Sequence, residues 1–549
     1  MYADIWEALA DTIGDAPAVT HGARELTWSR WENRSARLAA FLAANGVGRD
    51  DRVALYLHNS PEYLEAHFAC FKSRSVPVNV NFRYRPDELA HVLLDADARA
   101  VVYDATLAPV VADVVERVPG IRALIEVDTL GEPTASASVG GAVAYEEALT
   151  ADPAPRIGRD RDDLYMIYTG GTTGVPKGVV YSMGSFTDWL GGVAAMTLGV
   201  TPFDSVDDVV SAVSAVEPDR IPRSLPVCPL MHGTGIWLGA VVPLTCGGVV
   251  HLLRSHSFEA AEAWRVVAEK GANRIVLVGD SFARPLLREL AAARERGEPY
   301  DTTSLAAVIS SGAMLSAEVS RDFIEAVPGL VVLDVLGASE GGIGSAVAAA
   351  GAPRRAGEFT PLEGTRVFDD TDTPLEPGSD QIGWVGRSGP DVPLRYHNDP
   401  EKSARTFRTI DGVRYAFAGD LATVGADGSI TLLGRGSNVI NTGGEKVFAE
   451  EVEETLKSHP AVDDALVVGM ADDRFGETVA AVLARSPTAG AAMSDDELVT
   501  LATSHVHGRL AGFKTPRRVL VVDRVPRAAN GKADYATVRA LLEPTGDSE

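Results

Sequence analysis

Apolar residues follow a helical rhythm early in the chain. Trp31, Leu38, Phe41 and Leu42 fall on one face behind Thr27, a capping residue, and Gly46 is placed to stop the helix. The apolar run Val53-Ala-Leu-Tyr-Leu57 predicts a strand. Ser60-Pro61 then opens a second helix with Leu64, Phe68 and Phe71 inward. The alternation returns later. Strands are predicted at 249–253, 274–278, 306–310 and 330–334. Between them lie a helix with Phe258, Trp264 and Val267, another around 286–290, and a third over 316–327. Successive β-α-β units predict parallel sheet covered by helices. Ligands of such folds sit beyond the carboxyl ends of the strands.

From about 357 to 428 helical periodicity fades, and Gly, Pro and Asp punctuate short strands, as in a small β-rich region. After Gly434-Arg435-Gly436-Ser437 the alternation resumes, with a helix at 449–457 and strands at 465–469 and 519–522. The predicted fold class is α/β. A large N-terminal domain, 1–434, has helix-covered β-sheets and a small β-rich subdomain; a small α+β C-terminal domain, 435–549, sits on a hinge. The acidic stretch 201–226 reads as loop. Residues 235–253 carry no formal charge, but Pro243 and Gly247-Gly248 divide them, so they read as a buried helix and a core strand rather than a membrane span.

A chain of 549 residues exceeds one core. Its net charge of −26 repels phosphate backbones, which excludes nucleic acid as a partner and requires that any anionic substrate be met by a local positive pocket. Cys70, Cys228 and Cys246 are scattered and show no CxxC spacing, which points to a reducing, cytoplasmic setting. The N-terminus lacks the basic and apolar regions of a secretory signal.

The most informative segment is Tyr168-Thr-Gly-Gly-Thr-Thr-Gly-Val-Pro-Lys-Gly178, directly after the apolar strand 164–167. Gly170, Gly171 and Gly174 let backbone N–H groups turn toward an anion. Thr169, Thr172 and Thr173 add hydroxyls, and Lys177 adds charge. This is a phosphate-binding loop. It is not a Walker loop, because Val175-Pro176 separates Gly174 from Lys177. Four further segments follow in order: Pro229-Leu-Met-His-Gly233, Ser310-Ser-Gly-Ala-Met-Leu-Ser316, Leu336-Gly-Ala-Ser-Glu340 and Tyr415-Ala-Phe-Ala-Gly-Asp420. The set closes with Arg435 to Glu453 and Pro526-Arg-Ala-Ala-Asn-Gly-Lys-Ala-Asp534.

Over essentially its whole length the chain resembles the superfamily of acyl-CoA synthetases, adenylation domains of peptide synthetases and luciferases. Its details are most like actinobacterial fatty-acyl and steroid carboxylate CoA ligases. The resemblance implies that a carboxylic acid, ATP and CoA become acyl-CoA, AMP and pyrophosphate through an acyl-adenylate, with a bulky apolar acid, either a fatty acid or a steroid side-chain carboxylate. A stand-alone enzyme that loads a carrier protein stays open, and a homodimer is compatible with the reading. The resemblance assigns pyrophosphate to Thr169, Gly170, Gly171, Thr172, Thr173, Gly174 and Lys177, and places His232 beside the acid. Gly312 and Ala313 would lie against adenine, with Leu336, Gly337 and Ala338 at the nucleotide and Ser339 on the α-phosphate. Glu340, with Thr169, would hold Mg²⁺; Asp420 and Arg435 would take the ribose. Ser437 would be the hinge residue, Gly443 and Gly444 would line the pantetheine path, and Lys532 would be the catalytic lysine of adenylation. The chain departs from the family pattern at Gly170, Leu336, Ala418, Ser437 and Asn441.

Overall fold

The computed structural model describes residues 1–129, 139–170, 176–352, 357–442, 445–472, 474–528 and 531–543, with the side chains of Arg435 and Ser437 set aside. The early elements form as the pattern dictates. The helix Trp28–Ala44 has the Thr27 hydroxyl accepting from Arg30 N, and its end is followed by Gly46 at φ +72°. The helix Pro61–Ser73 carries the Ser60 cap and Pro at its first turn. Trp31 and Phe68 of these two helices meet at 4.7 Å between ring centroids, inside one aromatic core.

Two sheets of parallel strands build the N-terminal part. In the smaller, Val76–Asn79, Arg52–Tyr56, Ala98–Asp104, Ala123–Val127 and Val143–Ala144 lie side by side, all parallel. The larger runs Val249–Leu252, Arg223–Pro226, Arg274–Leu277, Ala307–Ser311, Val331–Ala338, again parallel. Beyond that strand it changes character. Gly341–Ala348 folds back antiparallel, and Glu358–Pro361 carries the hydrogen bonding into Ile430–Arg435 and Asp420–Val424. The β-rich region at 357–428 is therefore an extension of the large sheet rather than a separate layer.

A small three-stranded sheet, Arg395–Tyr396 with Pro176–Ser182 and Leu164–Gly170, lies between the larger two. Its strand Leu164–Gly170 is apolar without alternation because both faces are buried. Tyr165 and Ile167 enter one core, Met166 and Tyr168 another. At the C-terminal end, Glu445–Phe448, Val439–Thr442, Gly476–Arg485, Val462–Asp472 and Arg518–Val522 form a sheet of their own, covered by the helix Ala449–Lys457.

One expectation needs correction. Residues 201–226 are not loop throughout: Ser205 and Asp208 form a capping box that starts the helix Val206–Ala215, and a strand follows at Arg223–Pro226. The acidic residues that suggested a loop favour that helix start, Asp207 and Asp208 lying in its first turn. The uncharged stretch forms the expected buried helix and core strand: a π-helical turn, Thr234–Val241, runs into the short helix Val242–Thr245, and the buried strand Val249–Leu252 follows. Among the described residues no helix is long and apolar enough to cross a membrane.

Candidate active site

Three hairpins or strand pairs bring the charged groups together. The strands Leu164–Gly170 and Pro176–Ser182 form an antiparallel hairpin in which Thr169 faces Lys177 and Gly170 faces Pro176. Gly171, Thr172, Thr173 and Gly174 lie outside the described residues. Gly178 must be glycine, since a Cβ there would stand 2.9 Å from Met166 Sδ and 3.1 Å from His397 Cβ. That close approach lets Arg395–Tyr396 pair with Val179 and Val180, which sets Tyr396 beside Lys177.

Glu340 arrives on a second hairpin. Val331–Ala338 and Gly341–Ala348 are joined through Ser339-Glu340, with Ala338 facing Gly341. The turn is braced below: Asp391 Oδ2 accepts from Gly342 N at 2.7 Å and is itself paired with Arg387. The Tyr181 hydroxyl donates to the Ser339 carbonyl. Glu340 is buried, and its Oε1 accepts from the Tyr396 hydroxyl at 2.6 Å and from Lys177 Nζ at 3.1 Å. Lys177 Nζ also sits 3.9 Å above the centre of the Tyr396 ring. Burial lowers the Lys177 pKa, and Glu340 partly offsets that. One carboxylate, one ammonium and one phenol thus share a single point, where phosphate oxygens and a hard cation would find matching partners.

A second part of the site is carried by the segment ending at His232. Asn59 accepts from Leu230 N at 2.7 Å and donates to the Cys228 carbonyl at 3.1 Å. Asn79 donates to the Met231 carbonyl at 2.6 Å and also grips both backbone groups of Tyr168. His232 Nε2 is buried without a hydrogen-bond partner among the described residues. Burial, then the charge of Lys532, push the His232 pKa down to about 3, so the imidazole is neutral.

Lys532 reaches this place from the C-terminal unit. A Cβ on Gly312 would lie 3.6 Å from Lys532 Cε and 3.2 Å from Thr234 Oγ1, and Gly312 adopts φ +84°. The loop tip at Gly531, φ +77°, packs on the start of the helix Gly279–Glu295, close against Ser281 and Phe282. Arg288 of that helix pairs with Asp463 at 2.8 Å. Inside the C-terminal unit, Arg527 is held by Asp464 at 2.6 Å and donates to the Gly531 carbonyl at 3.0 Å, which fixes the tip. Lys532 therefore lies beside Gly312, close enough to His232 for its charge to act there.

A family description, AMP-binding enzyme, matches residues 6–397, and a second, AMP-binding enzyme C-terminal domain, matches 451–532. The chain belongs to the AMP-binding enzyme family. It is 38% identical over 538 residues to a 3-oxocholest-4-en-26-oate–CoA ligase of Rhodococcus rhodochrous, covering 97% of this chain and 94% of that one. It is 37% identical to a medium/long-chain-fatty-acid–CoA/3-oxocholest-4-en-26-oate–CoA ligase of Mycolicibacterium smegmatis, with 98% and 96% covered. Among solved structures, ATP-bound MatB from Rhodopseudomonas palustris superposes with a TM-score of 0.78 at 26% identity, over 99% of each chain.

The remaining family positions fall as follows. Ala313 backs onto Gly279, its Cβ 3.0 Å from where a Gly279 Cβ would stand. Leu336 is half-buried and packs on the cluster of Ile343, Phe359 and Val385, next to the bulge before Gly337. Asp420 is buried and faces Arg435 across antiparallel strands. Ser437 lies in the 3-10 turn Gly436–Asn438. Gly443 and Gly444 lie outside the described residues. Sequence reasoning missed Tyr396, Asn59, Asn79 and the Arg387–Asp391 pair. Tyr396, in Arg-Tyr-His-Asn, looks like a strand-edge aromatic until the pairing with Val179 is known. Asn79 ends the strand Val76–Asn79 and Asn59 comes three residues after Arg52–Tyr56, and a polar amide at a strand end was the available signal.

Proposed function

We propose that the protein is an ATP-dependent acid–CoA ligase for a bulky apolar carboxylic acid, a fatty acid or a steroid side-chain carboxylate. The convergence of Lys177, Glu340 and Tyr396 on one side, with Lys532 and neutral His232 on the other, carries this reading. The fatty-acid and 3-oxocholest-4-en-26-oate ligase activities of the two relatives support the choice of acid. Among this chain's residues, His232, Gly312 and the turn at Gly279 with Phe282 would form the acyl pocket.

In the first half-reaction the substrate carboxylate attacks the α-phosphorus in line, an acyl–O–P bond forms, and the bond to pyrophosphate breaks. Lys177 would hold the departing phosphates and Lys532 would meet the charge that builds at the α-phosphate. Asp420 and Arg435 would orient the ribose. Glu340 fits a hard divalent cation, being a buried carboxylate whose other partners are a phenol and an ammonium, and it would hold Mg²⁺ with Thr169 nearby. When bound, Mg²⁺ neutralises phosphate charge. In the second half-reaction the CoA sulfur, its thiol proton passing to solvent, attacks the acyl carbonyl and AMP leaves with the bonding pair. For this step the unit 435–549 would turn about Ser437, withdraw Lys532 and bring Gly443-Gly444 to the carbonyl.

The test is a panel of straight-chain fatty acids and steroid side-chain acids, read by pyrophosphate release and by thioester formation with CoA. Both products are expected, with long or polycyclic acids preferred over acetate and benzoate. Pyrophosphate release without thioester on adding CoA would overturn the ligase reading, and a preference for short or aromatic acids would overturn the choice of substrate.

A further inference from the structure

A second polar cluster lies away from the reaction site, where the carboxyl ends of the five-stranded parallel sheet meet the large sheet. His58 follows Arg52–Tyr56 by two residues, Asp104 ends Ala98–Asp104, and His256 follows Val249–Leu252 of the other sheet. One ligand-capable atom from each of the three lies within 4.8 Å of the other two. The imidazoles of His58 and His256 stack face to face, centroids 3.8 Å apart and 11° between planes. His58 Nδ1 is buried with no hydrogen-bond partner among the described residues. Asp104 is fully buried. Its Oδ1 accepts from Thr106 N at 2.8 Å, and its Oδ2 accepts from the Thr129 hydroxyl at 2.5 Å and stands 4.0 Å from His256 Nε2. Thr129 Oγ1 is also 2.8 Å from His256 Nε2.

Nothing in the adenylation chemistry uses these groups, and an orphaned buried imidazole nitrogen beside a buried carboxylate is costly to keep. We propose that His58, Asp104 and His256 form a binding site for a divalent transition-metal ion of the zinc class, with one position left for water. Two imidazoles and one carboxylate select such an ion over Mg²⁺ or Ca²⁺, which prefer all-oxygen sites.

Ligand atoms on one tetrahedral ion lie about 3.4 Å apart, so the three groups must draw in by roughly an ångström. His256 sits in a loop and can leave the stack to do so. Thr129 would then release Nε2 and stay on Asp104 as an outer partner, the usual arrangement around a ligating group. The place couples to the acid pocket. Asn59, which splints Cys228 and Leu230, is the next residue after His58. Phe82, whose ring centroid is 4.4 Å from that of His58, lies three residues beyond the other splint, Asn79.

The experiment uses full-length protein stripped with a chelator. Zn²⁺ is titrated against a chromogenic competitor, and Co²⁺ is added separately to read the d–d absorption of a nitrogen–oxygen site. One equivalent is expected, weakened at least about tenfold in His58→Gln and in His256→Gln. It should be unchanged in His505→Gln, which breaks the other close imidazole pair, His459 and His505. Circular dichroism and melting in chelator check that each variant folds. Should His58→Gln fail that check, His256→Gln in its loop carries the test. Absence of a stoichiometric site, or equal affinity in folded His256→Gln, would overturn the proposal.

Discussion

Replacing Tyr396 with Phe isolates one contact at the phosphate side. The phenol donates at 2.6 Å to the Glu340 oxygen that also meets Lys177, while the ring supports the Lys177 ammonium at 3.9 Å. Phe keeps the ring, the packing and the cation–π contact, and removes only the donor. A hydrogen bond to a charged group contributes about 1.5–3 kcal/mol. Lys177 remains on the same oxygen, so the loss belongs at the lower end, about 1.5–2 kcal/mol, or roughly 10–30-fold in rate at 1.36 kcal/mol per decade. The assay is kcat/KM for ATP in pyrophosphate release, at saturating acid and several Mg²⁺ concentrations. Thioester formation from supplied acyl-adenylate should change by less than about threefold, since that step releases no pyrophosphate. Tyr396→Leu should lose a further ~1 kcal/mol with the cation–π contact. Adenylation by Tyr396→Phe within about twofold of wild type, or equal losses in both half-reactions, would refute the idea that the phenol positions Glu340 for the nucleotide.

Lys532→Ala should nearly abolish adenylate formation while sparing thioester formation from supplied acyl-adenylate; parallel loss of both, measured separately, would count against a lysine that leaves for the second step. Glu340→Gln should cost a few kcal/mol in Mg·ATP use with the fold intact, read from kcat/KM across Mg²⁺ concentrations, and wild-type behaviour at ordinary Mg²⁺ would sink the assignment. Gly178→Ala should destabilise by about 1–3 kcal/mol, because the new methyl meets Met166 and His397 inside contact distance; an unshifted urea midpoint would contradict it. His67 is buried, with its pKa lowered by burial to about 4. A depressed histidine contributes stability above its unfolded pKa near 6.5 that is lost as pH falls toward the folded value. His67→Gln should therefore flatten the stability–pH curve between about pH 6.5 and 4 by up to 1.4 kcal/mol per pH unit.

Regular elements with strong local signals were legible from the sequence. The helix Ala449–Lys457 falls on the predicted residues, and Thr27 and Ser60 cap as expected. Periodicity reports which face is buried, not against what, so sheet continuity stayed hidden. The β-rich region looked separate because its strands are short and punctuated, yet its hydrogen bonding runs unbroken into the large sheet through Glu358–Pro361. Loop and turn motifs exposed the residue types at the site, including Lys177, Glu340 and Lys532. The residues that hold them in place were not legible. Tyr396 and Asn79 act through strand pairings and a splint spanning 56 and 152 residues to Glu340 and Met231, and no local pattern encodes such distances. The acidic stretch misled for a different reason: acidic residues are equally at home in a loop and in the first turn of a helix.

A protein of net charge −26 that takes three anionic substrates must concentrate its cations, and their spacing bears on the order of the chemistry. Lys177 is tied to Glu340 and Tyr396, so under the proposed function it is a fixed charge for the phosphates. Lys532 sits at the tip of a loop whose stiffness comes from Arg527 and Asp464 within its own unit, so under the proposed scheme it would move as one piece with that unit. Beside Lys532, His232 is neutral. A protonated imidazole there would pair with the substrate carboxylate and blunt it as a nucleophile, whereas a neutral one offers only an N–H for orientation. Under the proposed two-position scheme the same neutrality serves the second step. Once Lys532 departs, the acid side holds no fixed cation from His232, and the electrophile to be attacked is an uncharged acyl carbonyl. If His232→Arg kept full adenylation and thioester rates, a neutral residue would not be required at that position. The expected result is a loss in adenylation larger than that of His232→Gln, measured as kcat/KM for the acid.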